Sequence, residues 1–152
     1  MTALGDFSSG DVLTAADMNA IGQKVSFTPS WTGLTVGNAT EDWWYAIVQD
    51  VLLVQGFTTL GSTSSVTSSI RMTLPASRTM STNGFEDIGQ VTARIGGTSY
   101  ACIFRANGTS EVYLETQIAS GTYLTKSSSG STTPATWGTG SIIRGSFAAV
   151  LS

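Results

Sequence analysis

The sequence predicts an all-β fold, a single antiparallel β-sandwich of jelly-roll-like type, led by a short N-terminal helix. Three observations predict it. From Phe27 onward, short runs of β-branched and aromatic residues recur, with turn signals about every ten residues. Serine and threonine number 44 of 152 residues and only 11% are charged, so exposed faces are kept polar by hydroxyls, which suits pleated strands. Helical spacing of apolar residues is confined to one segment near the N-terminus. The chain is therefore divided into an anchoring segment, residues 1–25, and a β-domain, residues 26–152.

The elements follow in order. Thr14 with Asp17 three residues on forms a Ser/Thr-x-x-acid capping pattern, and Leu13 ahead of the cap meets Met18 as a hydrophobic staple. Met18, Ile21 and Val25 continue one face, Gly22 weakens the helix and Pro29 ends any continuation. A helix of about ten residues does not stand alone, so Leu13, Met18, Ile21 and Val25 are expected to pack on something. Trp43–Val48 and Val51–Phe57 flank Gln49-Asp50 as a hairpin. Ile70, Met72 and Leu74 alternate with polar residues in a half-buried strand ended by Pro75. Val91–Ile95 and Tyr100–Arg105 flank Gly96-Gly97; Tyr100–Arg105 and Glu111–Thr116 flank Asn107-Gly108; Ile142–Leu151 is the last strand. The Ser/Thr/Gly-rich tracts 61–68 and 127–133 read as loops within one domain.

Composition excludes several classes of function. The net charge is −3, and five Arg and two Lys are scattered, so no phosphate-neutralising patch points to nucleic acid. No run approaches the ~20 apolar residues of a membrane span, and residues 1–20 lack the basic start and apolar run of a signal peptide. A single cysteine, Cys102, fits synthesis in a reducing cytoplasm and, alternating with Tyr100 and Phe104, reads as core. The chain contains no histidine, which removes the usual general base and zinc ligand. No catalytic residue, metal site or cofactor site is expected.

Two constellations bear on binding. Trp43, Tyr45 and Ile47 point to one face of their strand and Trp44, Ala46 and Val48 to the other. A strand apolar on both faces needs a second cover: a subunit neighbour, a long loop, or a ligand. A subunit interface at Trp43, Trp44 and Tyr45 is expected. Glu41-Asp42 beside the two tryptophans resembles a sugar-binding corner, but adjacent strand residues point apart and cannot face each other across the ~5–10 Å of a glycosidase pair. Glu111 and Glu115 share a face and read as a solvated one. Tyr123 and Trp137 are candidate glycan contacts on loops at the domain's end.

The run Phe7–Asn19, with Gly10, Val12-Leu13-Thr14-Ala15 and Met18-Asn19, resembles the opening of tail and fibre proteins of tailed bacteriophages. Phe27-Thr28-Pro29-Ser30-Trp31-Thr32-Gly33, Arg71-Met72-Thr73-Leu74-Pro75 and Pro134-Ala135-Thr136-Trp137-Gly138-Thr139-Gly140 are similar to later phrases of those chains, with Gln49 and Ser141 as departures. The resemblance implies a virion protein made in the host bacterial cytoplasm: a minor tail protein or short fibre. It further implies a homotrimer, docked to other virion proteins through its N-terminus and meeting a host-surface glycan. A head decoration protein or capsid fibre, and a carbohydrate-binding module, are the alternatives.

Overall fold

The computed structural model describes residues 22–81, 87–120 and 122–152. These fold into ten strands: β1 (Val25–Phe27), β2 (Trp31–Thr35), β3 (Thr40–Val48), β4 (Val51–Thr59), β5 (Ser65–Thr73), β6 (Asp87–Ile95), β7 (Thr98–Asn107), β8 (Glu111–Ser120), β9 (Tyr123–Ser128) and β10 (Ile142–Val150). The hairpins expected at Gln49-Asp50, Gly96-Gly97 and after Asn107 are present, and Thr73 ends β5 ahead of Pro75. The all-β, antiparallel class predicted from strand patterning is what forms.

Several boundaries differ from the sequence reading, among them Ser127 and Ser128 of the tract expected as a loop, which end β9. Val25 belongs to β1, paired with Tyr45, rather than to a helix face, because an apolar residue next to a β-run satisfies either period. The tract expected as a loop over 61–68 contributes Ser65–Ser68 to β5, paired with β2. Strand β9, composed almost wholly of polar and exposed residues, gives no alternating signal. The expected N-terminal helix, with Leu13, Met18 and Ile21, lies outside the described residues.

All ten strands join one sheet in the order β1-β3-β4-β10-β6-β7-β8-β5-β2, with β9 also on β8. The two facing sheets of a sandwich are replaced by one sheet that curls. Its inner face carries Trp43, Leu52, Val54, Phe104, Leu114, Ile143 and Phe147, all under 5% exposed. Edge-to-face rings link distant strands: Trp31 to Trp43 at 5.9 Å, Trp43 to Phe104 at 6.3 Å, and Phe104 to Phe147 at 5.2 Å. Since β2 ends the strand order and β3 stands second in it, the Trp31–Trp43 contact brings the two ends of the sheet together.

Polar groups fasten that closure. Trp31 Nε1 donates to Glu41 Oε1 at 2.8 Å, and Thr58 Oγ1 donates to the same oxygen at 2.9 Å. Trp43 Nε1 in turn donates to Thr58 Oγ1 at 2.9 Å. Gly56 faces Trp43 in the ladder, and a Cβ there would stand 2.5 Å from the indole. The large ring is accommodated because its cross-strand partner has no side chain.

A second fastening sits where the sheet forks. The edge of β8 pairs with β5 over Glu111–Tyr113 and with β9 over Glu115–Ser120. Buried Ser129 fills the fork: its N–H donates to Leu114 O and its carbonyl accepts from Ile70 N–H, each at 2.9 Å. Its hydroxyl lies 2.7 Å from that of buried Thr116. A serine tract reads as loop, so this role was not visible in the sequence.

The domain has two unlike ends. At one, the Gln49-Asp50 turn, Gly22 and Leu151 gather, with Leu151 N–H donating to Asp50 O at 2.7 Å. At the other lie the Gly61–Ser64, Gly96-Gly97 and Gly138–Ser141 turns, tied by Leu60 N–H to Ser141 O at 2.8 Å.

Candidate functional site

The outer face of the sheet is the surface open to partners, because the inner face is occupied by the core. Strand register sorts its side chains into rows. One row crosses β3, β4 and β10 as Val48, Val51 and Val150, and the next as Ala46, Leu53 and Ala148. These six carry no charge, and Val48, Leu53 and Val150 are 38%, 41% and 46% exposed. Val48, Val51, Leu53, Ala148 and Val150 form an apolar patch at the end of the domain where Gly22 enters, while Ala46 in the same rows is buried, at 6% exposed. An uncovered patch of this kind marks a contact surface more often than a random exposed leucine does.

Toward the middle of the sheet the rows turn polar. Trp44, Gln55, Ser146, Gln90 and Ile103 are aligned across β3, β4, β10, β6 and β7. The next row holds Asp42, Phe57, Arg144, Thr92, Ala101 and Gln117. Small side chains on β10 and β6 leave two adjoining depressions of about 460 and 410 Å³ that share Gln90. The side-chain amides of Gln55, Gln90 and Gln117 engage no hydrogen bond among the described residues, so their donors and acceptors face the trough unengaged. Arg144 lies over the Phe57 ring at 5.9 Å, and Lys24 over Trp44 at 5.1 Å.

The expected site residues distribute unevenly. Of the subunit-interface trio, Trp43 is only 1% exposed and its N–H is engaged by Thr58, so it is a core residue and presents nothing to a neighbour. Tyr45 packs on the core side, edge-to-face with Phe27 at 5.7 Å. Trp44 alone of the three faces outward. The second apolar face of this strand is real, but its exposed part is carried by Val48 together with Leu53 and Val150. Sequence alternation could have found Leu53 and Val150 as outward residues; it could not align them with Val48 without the register.

Tyr123 stands 78% exposed beside Leu124 at 71%, in the β8–β9 hairpin. Trp137 is half-buried, and its Nε1 donates to Gly130 O at 2.9 Å and Thr133 O at 3.3 Å. That indole staples the loop before β10, so its polar edge is not free for a glycan. Glu41 and Asp42 point to opposite faces as expected, the first into the closure network and the second to solvent.

Glu111 and Glu115 do share a face, but neither is simply solvated. Glu111 Oε2 pairs with Arg71 Nη1 at 3.1 Å and accepts from Asn107 Nδ2 at 3.1 Å. Glu115, 5% exposed, pairs with Arg105 Nη1 at 3.1 Å. Cys102 is buried as expected; burial pushes its thiol pKa up, against the lowering effect of hydrogen bonding with Thr116, Ala93 and Ser129. Among the described residues, no three of His, Cys, Asp and Glu gather as a metal site, and no helix is long and apolar enough to cross a membrane.

Comparison with known proteins returns no matching family model, no matching curated protein and no matching solved structure.

Proposed function

We propose that the chain is a structural component of a tailed-bacteriophage virion, a minor tail protein or short fibre, that binds rather than catalyses. The observation that carries this reading is the polarity of the domain. The apolar patch of Val48, Leu53 and Val150 lies at the end where Gly22 brings in the N-terminal segment. The glycine-rich turns and their hydroxyls lie at the opposite end. Such a domain attaches at one end and presents the other. The N-terminal phrase Phe7–Asn19, with its resemblance to phage tail and fibre chains, supports the same direction. Assembly as a homotrimer belongs to this reading, with Trp44 and the apolar patch nearest the neighbouring copies. A head decoration protein or capsid fibre would use the same polarity on a different part of the particle.

A second reading, a carbohydrate-binding module, draws on the trough. Unengaged amides of Gln55 and Gln90 beside Trp44, with that of Gln117 in the adjoining depression, suit the hydroxyls and ring faces of a sugar chain. In a virion protein, such a surface would serve attachment to a host glycan.

The test is incorporation. Deleting residues 1–21 leaves the described fold intact and abolishes joining to the particle; normal incorporation of the folded, truncated chain overturns the reading. Host cell-wall polysaccharide incubated with the purified protein releases no reducing ends. Release that disappears on Glu115→Gln would make the protein an enzyme instead.

A further inference from the structure

The chain has only seven cationic side chains, and the fold engages most of them. Arg71, Arg105 and Lys126 are ion-paired to Glu111, Glu115 and Asp87, and Lys24 lies over Trp44. Arg94 and Arg144 are exposed and meet no carboxylate or carbonyl among the described residues. Arg144 rests over the Phe57 ring, which occupies its flat face and leaves its N–H edge open. Far apart in the chain, the two arginines are neighbours on the outer face. Arg144 stands opposite Thr92 across β10 and β6, and Arg94 follows Thr92 by two residues on the same face. Such diagonal neighbours lie about 7–8 Å apart, so both guanidinium groups can reach one bound group. Like charges so placed repel, and no carboxylate stands between them: Asp42, in the same row as Arg144, is two strands away. An anion bound there would relieve that repulsion.

We propose that this part of the trough binds an acidic polysaccharide, with Arg94 and Arg144 taking the oxyanions of its charged units and Gln90, Gln117 and Thr92 its hydroxyls. The inference rests on the glycan reading of the trough and gives it a substrate class. Arg144, Thr92, Gln90 and Gln117 line one depression of about 410 Å³. Guanidinium forks match carboxylate and phosphate oxygens bidentately. Primary amides and hydroxyls donate and accept at once, as sugar hydroxyls do. A small free anion would use the arginines and leave the amides idle, whereas a charged sugar chain uses both. Such a chain can continue along the row from Gln90 through Ser146 and Gln55 to the outward Trp44 ring, ~14 Å further across three strand spacings. Nucleic acid fits less well, because every unit carries a phosphate and two arginines neutralise too few of them. Arg94 is two residues from the Gly96-Gly97 turn, so the charged part lies toward the end of the domain opposite Gly22.

Titration calorimetry on the purified full-length chain tests it. The probes are an oligogalacturonate with its neutral methyl ester, a phosphomannan with its dephosphorylated form, and a single-stranded DNA oligomer. One acidic glycan should bind at least about tenfold tighter than its neutral form, and which pair shows the difference tells a carboxylate from a phosphate ligand. Arg94→Gln and Arg144→Gln should each weaken the acidic form about threefold, and both together about tenfold, without weakening the neutral form. Lysine at both positions should restore part of the loss, and Arg78→Gln, outside the trough, should change nothing. Circular dichroism checks that the variants fold, as surface substitutions should. Equal binding of acidic and neutral forms overturns the inference and keeps the glycan reading, while no binding of any sugar probe at millimolar concentration overturns both. An acid preference undiminished in the double variant places the anion elsewhere and refutes the assignment. DNA bound as tightly as the acidic glycan, with the same arginine dependence, makes the surface a phosphate-backbone site and overturns it too. Particle incorporation is a separate measurement, so failure here and failure of the virion reading are distinguishable.

Discussion

Replacing Thr58 by valine removes one hydroxyl from the place where the sheet closes on itself, and its cost follows from the contacts. Thr58 is wholly buried and Trp43 is 1% exposed, so no water reaches Trp43 Nε1 when its acceptor is lost. A buried donor left unpaired costs about 1–3 kcal/mol. Glu41 loses one of two donors but keeps Trp31 and is half-buried, so that loss adds ~0.5–1 kcal/mol after solvent replaces part of it. Valine returns up to about 0.8 kcal/mol by burying a methyl in place of the hydroxyl. The net expectation is a loss of about 1–3 kcal/mol, centred near about 2 kcal/mol, a large share of a small domain's stability. Urea unfolding followed by tryptophan emission measures it, with an unchanged slope showing that only stability moved. Thr58→Ser keeps the hydroxyl and should cost about 1 kcal/mol for the missing methyl. If Thr58→Val falls within about 0.5 kcal/mol of the unaltered chain, or costs less than Thr58→Ser, the hydroxyl does not fasten the closure and the reasoning fails.

Two further predictions rest on single side chains. Gly56→Ala puts a Cβ 2.4 Å from Asp42 O and 2.5 Å from the Trp43 ring, so it should destabilise by more than about 2 kcal/mol, read by thermal unfolding. Cys102, its thiol pKa raised by burial, should resist a thiol reagent near neutral pH in the folded chain and react once urea unfolds it. The same shift has a sign in stability. The unfolded thiol ionises first, so Cys102 stabilises fully below the ordinary thiol range, and stability falls as pH rises through it toward the folded pKa. Cys102→Ala should flatten that alkaline part of the stability–pH profile, and an identical slope in both chains would show that other groups carry it.

Local chemistry explains what could be read from the chain. The Gln49-Asp50 and Gly96-Gly97 turns, the stop at Pro75 and the burial of Cys102 depend on residues within a few positions of one another, and these agree with the fold. Opposite facing of Glu41 and Asp42 follows from the two-residue period of a strand alone. The same period identified a strand apolar on both faces, although of Trp43, Trp44 and Tyr45, the residues assigned to the interface, the core takes Trp43 and Tyr45.

Backbone sterics and neighbouring residues thus set the class of element, its turns, and the parity of each side chain within a strand, and these are legible in the chain. Which strands meet is a different matter, settled at the level of the whole domain. Only register lines up Val48 with Val51 and with Val150, which lies nearly the full length of the β-domain away in the chain. Only the curl brings Trp31 to Glu41 and Trp43, and turns an expected pair of sheets into one. Ser129 acquires a buried role from a fork between β5 and β9 that no local signal marks. The reason is physical: pairing between distant strands is selected by the total burial and hydrogen bonding of the closed sheet, a sum over the whole chain that no single window of residues contains.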